Sequence, residues 1–211
     1  MTLLRKIIIN ADDYGLSKQF NRGILELIER GIVTSTTVMI KRKFINPKDL
    51  LKHKNISIGL HLELSLETPA KEIENQIKIF RKLFGRFPSH LDGHKYYHLL
   101  PGNFSKVLKI AKKYKLPVRS ASSIDQKMMQ AAGIKTPDQF ISWHPNRKEK
   151  LFKNLKSARG ETIELLCHPG YYDSKATTSY NKQREKELKA LESQHFEKIL
   201  ENFTPINYEQ A

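Results

Sequence analysis

"ISIGLHLEL", Ile56–Leu64, decides the fold class. In an extended chain, Ile58, Leu60, Leu62 and Leu64 fall on one face and Gly59, His61 and Glu63 on the other. One face is built to pack against helices, and the other carries ionisable groups near the strand's C-terminal end. The same parity recurs in "TIELLCHPG", Thr162–Gly170, where Ile163, Leu165 and Cys167 oppose Glu164 and His168. In "SHLDGH", Ser89–His94, it places His90, Asp92 and His94 together. Working outward, strands alternate with amphipathic helices: "RKIIINAD" from Arg5, a helix capped by Ser17 and stopped by Gly31, "TSTTVMI" from Thr34, and a short helix opening at Pro47. A longer helix spans Pro69–Gly85, another Pro101–Lys115, and "LPVRSAS" from Leu116 reads as a further strand. "SYNKQREKELKALES" from Ser179 is a helix, and a last helix and strand end the chain. Alternation of this kind implies parallel strands with helical crossovers. "NADDYGLSK" lacks the glycine spacing of a dinucleotide loop. A polar upper interior favours a (β/α) barrel, a distorted or incomplete one included, with its site at the C-terminal rim.

The chain has 211 residues, enough for one sizeable core, and no repeat or linker divides it, so residues 1–211 read as a single domain. A single cysteine, Cys167, excludes an internal disulfide framework. The first residues carry a charge inside a short apolar run and no stretch reaches membrane length, so the expectation is a cytoplasmic protein with no membrane partner. The net charge of +15 raises the question of nucleic acid. The basic residues are scattered, however, and in "NKQREKELKALE", Asn181–Glu192, they interleave with Glu as on a solvated helix face. Charge alone does not support a nucleic-acid role.

"ADDYG" places Asp12 and Asp13 side by side at the exit of a buried strand, where each loses hydration and repels the other. A divalent cation at the rim would resolve this, neutralising one carboxylate while the other stays charged beside it. One Asp with two His gives a mixed oxygen and nitrogen set with positions left for water. The remaining aspartate could then take a proton from that water.

"NADDYG", "GIVTSTTVM", "IGLHLEL", "FGRFPSHLDGHKYYH", "PVR" and "ELLCHPGYYD...SYNKQREKEL" occur in that order from the first strand to about Leu191. The chain thereby resembles the YdjC-like family of carbohydrate deacetylases, whose best-understood members act on chito-oligosaccharides. The resemblance implies a deacetylase-type (β/α) barrel and one divalent ion, magnesium or zinc. It implies Asp13, His61 and His94 as metal ligands, Asp12 as base and His168 as general acid. Arg119 is implied to orient an acidic residue or touch substrate. The implied substrate is an acetylated amino sugar or short oligosaccharide, and a homo-oligomer fits the family. One departure stands out: only one helix separates the His61 and His94 blocks, where longer members carry an insertion. The shortened rim is expected to open the pocket.

Other residues carry two readings each. Asp92 either bonds a ligand histidine or caps a turn, and Glu164 is a buried partner of Arg119 or a ligand. His98 is a supporting or substrate-facing group, or plain packing. Tyr171, with Trp143, Tyr172 and Tyr180, could stack on sugar rings or pack ordinarily. Cys167 reads as an inert buried thiol. Two other functions compete with deacetylation: a metal-dependent phosphoesterase, and a non-catalytic sugar- or RNA-binding protein.

Overall fold

The computed structural model describes residues 4–142 and 153–211. The strands are β1 (Arg5–Tyr14), β2 (Ser35–Val38), β3 (Ser57–Leu62), β4 (Leu91–Gly93), β5 (Gln139–Ser142), β6 (Thr162–Cys167) and β7 (Phe203–Pro205). Among the described residues the helices include α1 (Lys18–Glu29), α2 (Pro47–Leu51), α3 (Ala70–Phe84), α4 (Pro101–Tyr114), α5 (Ser123–Ala131), α6 (Lys182–Leu191) and α7 (Gln194–Leu200). The strands form one sheet in the order β4-β3-β2-β1-β6-β5, and every pairing is parallel. β6 takes one edge of β1 from Lys6 to Ala11. On the other edge β7 pairs Arg5–Ile7 and β2 takes over from Asn10.

The expected helix ends are in place. Ser17 Oγ accepts from the Gln19 amide, Pro47 opens α2, and Gly31 follows α1 at φ 71°. The outward strand face, Ile7, Ile9, Ala11, Ile58, Leu60, Leu62, Ile163, Leu165 and Cys167, shares the main core with Ile24, Ile77, Phe80 and Leu188 from the helices. The inward face is polar. Asn10, Asp12, Ser35, Thr37, Ser57, His61, Asp92 and Glu164 are all buried, and Ile8, Ile206 and Tyr208 form a small apolar plug there. Gly59 belongs to this inner face because a Cβ there would sit 2.4 Å from the His90 ring.

The sheet curls without closing: among the described residues no strand pairing joins the β4 edge to β5. The strand expected at "LPVRSAS" shrinks to one bridge, Leu91 with Val118. The reason lies in its neighbour. β4 has three residues and turns at once into a 3-10 segment, His94–Leu99, so its outer edge offers no longer partner. Arg119 leaves that bridge and reaches Asp12 on β1 and Glu164 on β6. Such reach across the interior is possible only in a curled, half-barrel sheet.

Candidate metal centre and active site

How two neighbouring aspartates reach one site is a matter of backbone. β1 pairs with β2 at Ala11↔Thr36 and next at Tyr14↔Val38, so β1 spends three residues where β2 spends two. Within this bulge Asp13 has φ 71°, a left-handed conformation that aspartate tolerates better than most residues. In a regular strand Asp13 would turn toward the helices. The bulge turns it to the rim instead, while Asp12 keeps the inward parity of Ile8 and Asn10.

Asp13 Oδ1 lies 3.2 Å from His61 Nε2 and 3.2 Å from His94 Nδ1. Its Oδ2 meets Arg184 Nη2, from α6. His61 is held by its other nitrogen, Nδ1, 2.8 Å from Asp92 Oδ1, and Thr37 Oγ1 donates to Asp92 Oδ2 at 3.0 Å. With Nδ1–H donated to a carboxylate, Nε2 is the nitrogen left to give its lone pair to a cation. Burial would raise the Asp13 carboxyl, but Arg184, His61 and His94 bring it well below the usual range. Burial would lower His61, yet Asp92, Asp12 and Asp13 raise it well above an ordinary histidine. This surplus of negative charge around a histidine pair is what a cation would meet.

The donor set fits a divalent ion. The ligand atoms of Asp13, His61 and His94 all lie within 4.8 Å of one another. Bonds of about 2.1 Å put tetrahedral donors about 3.4 Å apart, close to the spacing around Asp13 Oδ1. Asp13 and His61 are buried, and the His94 side chain is 33% exposed, so the cluster opens to solvent on one side. A second grouping, Asp12, His61 and Asp92, shares His61 but is already occupied by a side chain. Arg119 Nη1 and Nη2 donate to the two Asp12 oxygens at 2.7 and 2.8 Å, and Nη1 lies 2.8 Å from Asp92. Asn10 Nδ2 adds 2.8 Å to Asp12 Oδ1.

Arg119 completes its fork on Glu164 at 2.8 Å through Nε, and Tyr208 hydroxyl donates to the other Glu164 oxygen at 2.5 Å. Glu164 is therefore Arg119's partner. Burial pushes its carboxyl up although Arg119 opposes this. His98 is fully buried, packs on Gly93 and lies 3.1 Å from the Arg119 carbonyl through Nε2. It supports the Arg119 backbone and presents no face to substrate.

His168 leaves β6 at the rim. Its amide donates to Glu187 Oε2 at 2.5 Å, Tyr180 hydroxyl donates to Glu187 Oε1, and the His168 and Tyr180 rings lie 5.1 Å apart. Burial lowers His168 to about 4 against the opposing pull of Asp12 and Asp13, and raises Glu187 to about 8. Tyr171 turns to α1, with its hydroxyl on Glu26 and its ring 4.4 Å from Arg22. Tyr172 is exposed, Cys167 is buried with its thiol raised by burial, and Trp143 lies outside the described residues.

The reading of Asn181–Glu192 as a solvated face holds for Lys182, Lys186 and Lys189, which are exposed, and fails for Arg184 and Glu187, which are 1% and 0% exposed. They sit one turn apart beside buried Leu188 and Leu191, on the inward stripe of α6. That stripe, four residues at helical spacing, was the signal available. Asn10 and Thr37 were also missed, although Asn10 shares the strand parity of Asp12.

Residues 6–71 and 67–202 match the family described as YdjC-like protein. A carbohydrate deacetylase of Clostridium beijerinckii is 31% identical over 225 residues, covering 88% of this chain and 91% of that protein. A carbohydrate deacetylase of Thermoanaerobacter pseudethanolicus is 30% identical over 228 residues, covering 89% and 91%. Among solved structures, one from Enterococcus faecalis, described as a cellobiose-phosphate cleavage protein, superposes with TM-score 0.84 and 26% identity over 99% of each chain. The Xyl-CE4 domain of a xylanase from the hindgut metagenome of Trinervitermes trinervoides gives TM-score 0.59 at 11% identity, over 99% of this chain and 89% of that one, a likeness of fold alone.

Proposed function

The chain belongs to the YdjC-like protein family, and from that premise we propose that it is a metal-dependent hydrolase removing the N-acetyl group from an acetylated amino sugar or short oligosaccharide. The observation that carries this reading is Asp13 Oδ1 placed 3.2 Å from both His61 Nε2 and His94 Nδ1, with Asp12 one residue away and outside that set. Asp13, His61 and His94 would hold the ion. A divalent ion there would polarise the acetyl carbonyl and lower the pKa of a water from about 15.7 toward roughly 7. Two imidazoles beside one carboxylate favour zinc or a similar transition ion over magnesium, which prefers oxygen donors.

The protein's own groups divide the remaining work. Asp12, fixed by both Arg119 donors, is the candidate base for the attacking water. Arg119 holds that carboxylate in one orientation. His168 is the candidate acid for the departing nitrogen. Its ring is neutral near pH 7 in the free protein, since burial holds it at about 4. Its proton would come from the attacking water by way of Asp12 within the reacting complex, where negative charge growing on the acetyl oxygen favours the imidazolium.

A two-metal phosphoesterase finds less support. The second carboxylate group, Asp12 with Asp92, is taken up by Arg119 and by the His61 bond. Elemental analysis of the purified protein, with acetate release measured on acetylated amino sugars and phosphate release on generic phosphate esters, tests the proposal. One equivalent of divalent ion with acetate release supports it. Metal-free protein without a metal-dependent thermal shift points to a binding module instead.

A further inference from the structure

Asp13 uses its two oxygens differently. Oδ1 faces both histidines, whereas Oδ2 is engaged by Arg184 Nη2. Arg184 is itself fixed at three points: on Asp13, on the Tyr180 carbonyl through Nε at 2.9 Å, and on the Phe20 ring, whose centroid is 4.0 Å from Cζ. Its side chain is 1% exposed. Among the described residues its Nη1 has no hydrogen-bond partner. A guanidinium buried for stability alone would satisfy its donors, because an unused buried donor is costly. Placing a buried cation behind a cation-binding carboxylate costs repulsion as well. Both costs make sense if the arrangement serves the site.

A carboxylate with both oxygens free can bind an ion through one or both of them, and the second mode occupies a position that water or substrate would use. We propose that Arg184 is a positioning residue that restricts Asp13 to one ligand oxygen, Oδ1, and so keeps a position open beside His61 and His94. The inference rests on the metal-centre reading above. It predicts a separation that a structural role would not give: without the guanidinium, metal affinity survives and turnover falls.

The test uses the full chain, with zinc titrated against a chromophoric chelator and acetate release followed at saturating zinc on the N-acetylglucosamine disaccharide or whichever acetylated sugar proves active. R184M keeps an apolar stem against Phe20 and removes the fork. We expect its kcat to fall about 10–100-fold while KM and zinc Kd stay within about threefold of wild type, or zinc binds more tightly. A folded R184M with kcat within about threefold of wild type overturns the proposal, as does loss of zinc affinity in step with turnover such that excess zinc restores it. R184Q carries the same test if R184M does not fold, and failure of both to fold also overturns it, because the guanidinium is then a structural group. A wild type that neither binds zinc nor releases acetate refutes the metal-centre reading itself. A wild type that does both, with an indifferent Arg184, refutes only the positioning role.

Discussion

His61 Nδ1 lies 2.8 Å from Asp92 Oδ1, and the same ring presents Nε2 to Asp13 Oδ1 at 3.2 Å. One carboxylate thus decides which nitrogen of the ring is free to bind a metal. The other Asp92 oxygen is already taken by Thr37 Oγ1 at 3.0 Å and Arg119 Nη1 at 2.8 Å, both donors. In Asp92→Asn the amide oxygen stays with those donors, which turns the NH2 group onto His61 Nδ1. The ring must then place its proton on Nε2, the wrong nitrogen. Zinc affinity should fall about 10–100-fold, the range for such supporting carboxylates, in a protein that still folds. Chelator competition measures it, and an unchanged Kd would separate Asp92 from the metal centre.

Replacing Asp12 acts on a different step. General-base catalysis typically contributes about 10²–10⁴-fold, so Asp12→Asn should lose turnover on that scale. Zinc binding, for which Asp13 is the proposed ligand, should stay within about tenfold of wild type. The variant also sets an amide NH2 against Arg119 or Asn10, which donate to the two Asp12 oxygens at 2.7–2.8 Å. A lowered Tm should accompany the loss, since a donor facing a donor leaves both unpaired. Acetate release at saturating zinc and a thermal melt read the two effects separately, and turnover near wild type would remove Asp12 from the role of base.

His168 can be isolated through the leaving group. An amide nitrogen must be protonated to depart, whereas a p-nitrophenolate leaves without help. With burial holding the free ring at about 4, the proposed acid role needs a proton delivered during the reaction, from the attacking water by way of Asp12. His168→Gln should therefore lower kcat on the acetylated amino sugar by about 10²-fold or more and on p-nitrophenyl acetate by much less. Equal losses on both substrates would argue that the ring only shapes the pocket.

Much of this arrangement was legible in the sequence, and each exception has its own physical cause. Strand parity in Ile58–Leu64 and Ile163–His168 put apolar and ionisable groups on opposite faces, and the main core follows that division. Hidden from that reasoning was the bulge at Asp13, since parity assumes an unbroken strand and a left-handed residue reverses it. Arg184 and Glu187 were hidden because a charged helix stripe reads as solvated until its partners are known. Those partners are Asp13 on β1, 171 residues from Arg184, and His168 just past β6, 19 residues from Glu187. "LPVRSAS" failed in the opposite direction: its composition suits a strand, but a strand needs an edge of matching length, and β4 supplies three residues. Local propensity was read correctly there and overridden by the neighbour.

His90 gives a prediction about stability that is independent of the metal. Its ring is fully buried, stacked on Tyr208 with centroids 3.5 Å apart, and bonded through Nδ1 to Ser89 Oγ at 2.9 Å. Burial holds it at about 3, against the pull of Asp92, where an exposed histidine titrates at 6.5. Between those values the unfolded chain binds a proton that the folded protein refuses. Stability therefore falls as pH drops below 6.5, by roughly 2 kcal/mol at pH 5 from this group. His98, lowered by burial to about 4, adds a loss of the same sign. His90→Asn keeps a polar atom near Ser89 and removes the titration, so it is less stable than wild type at pH 8 but loses less Tm between pH 7 and pH 5. Melts of both proteins across that range decide the matter: parallel Tm profiles would show that protonation of His90 does not limit acid stability.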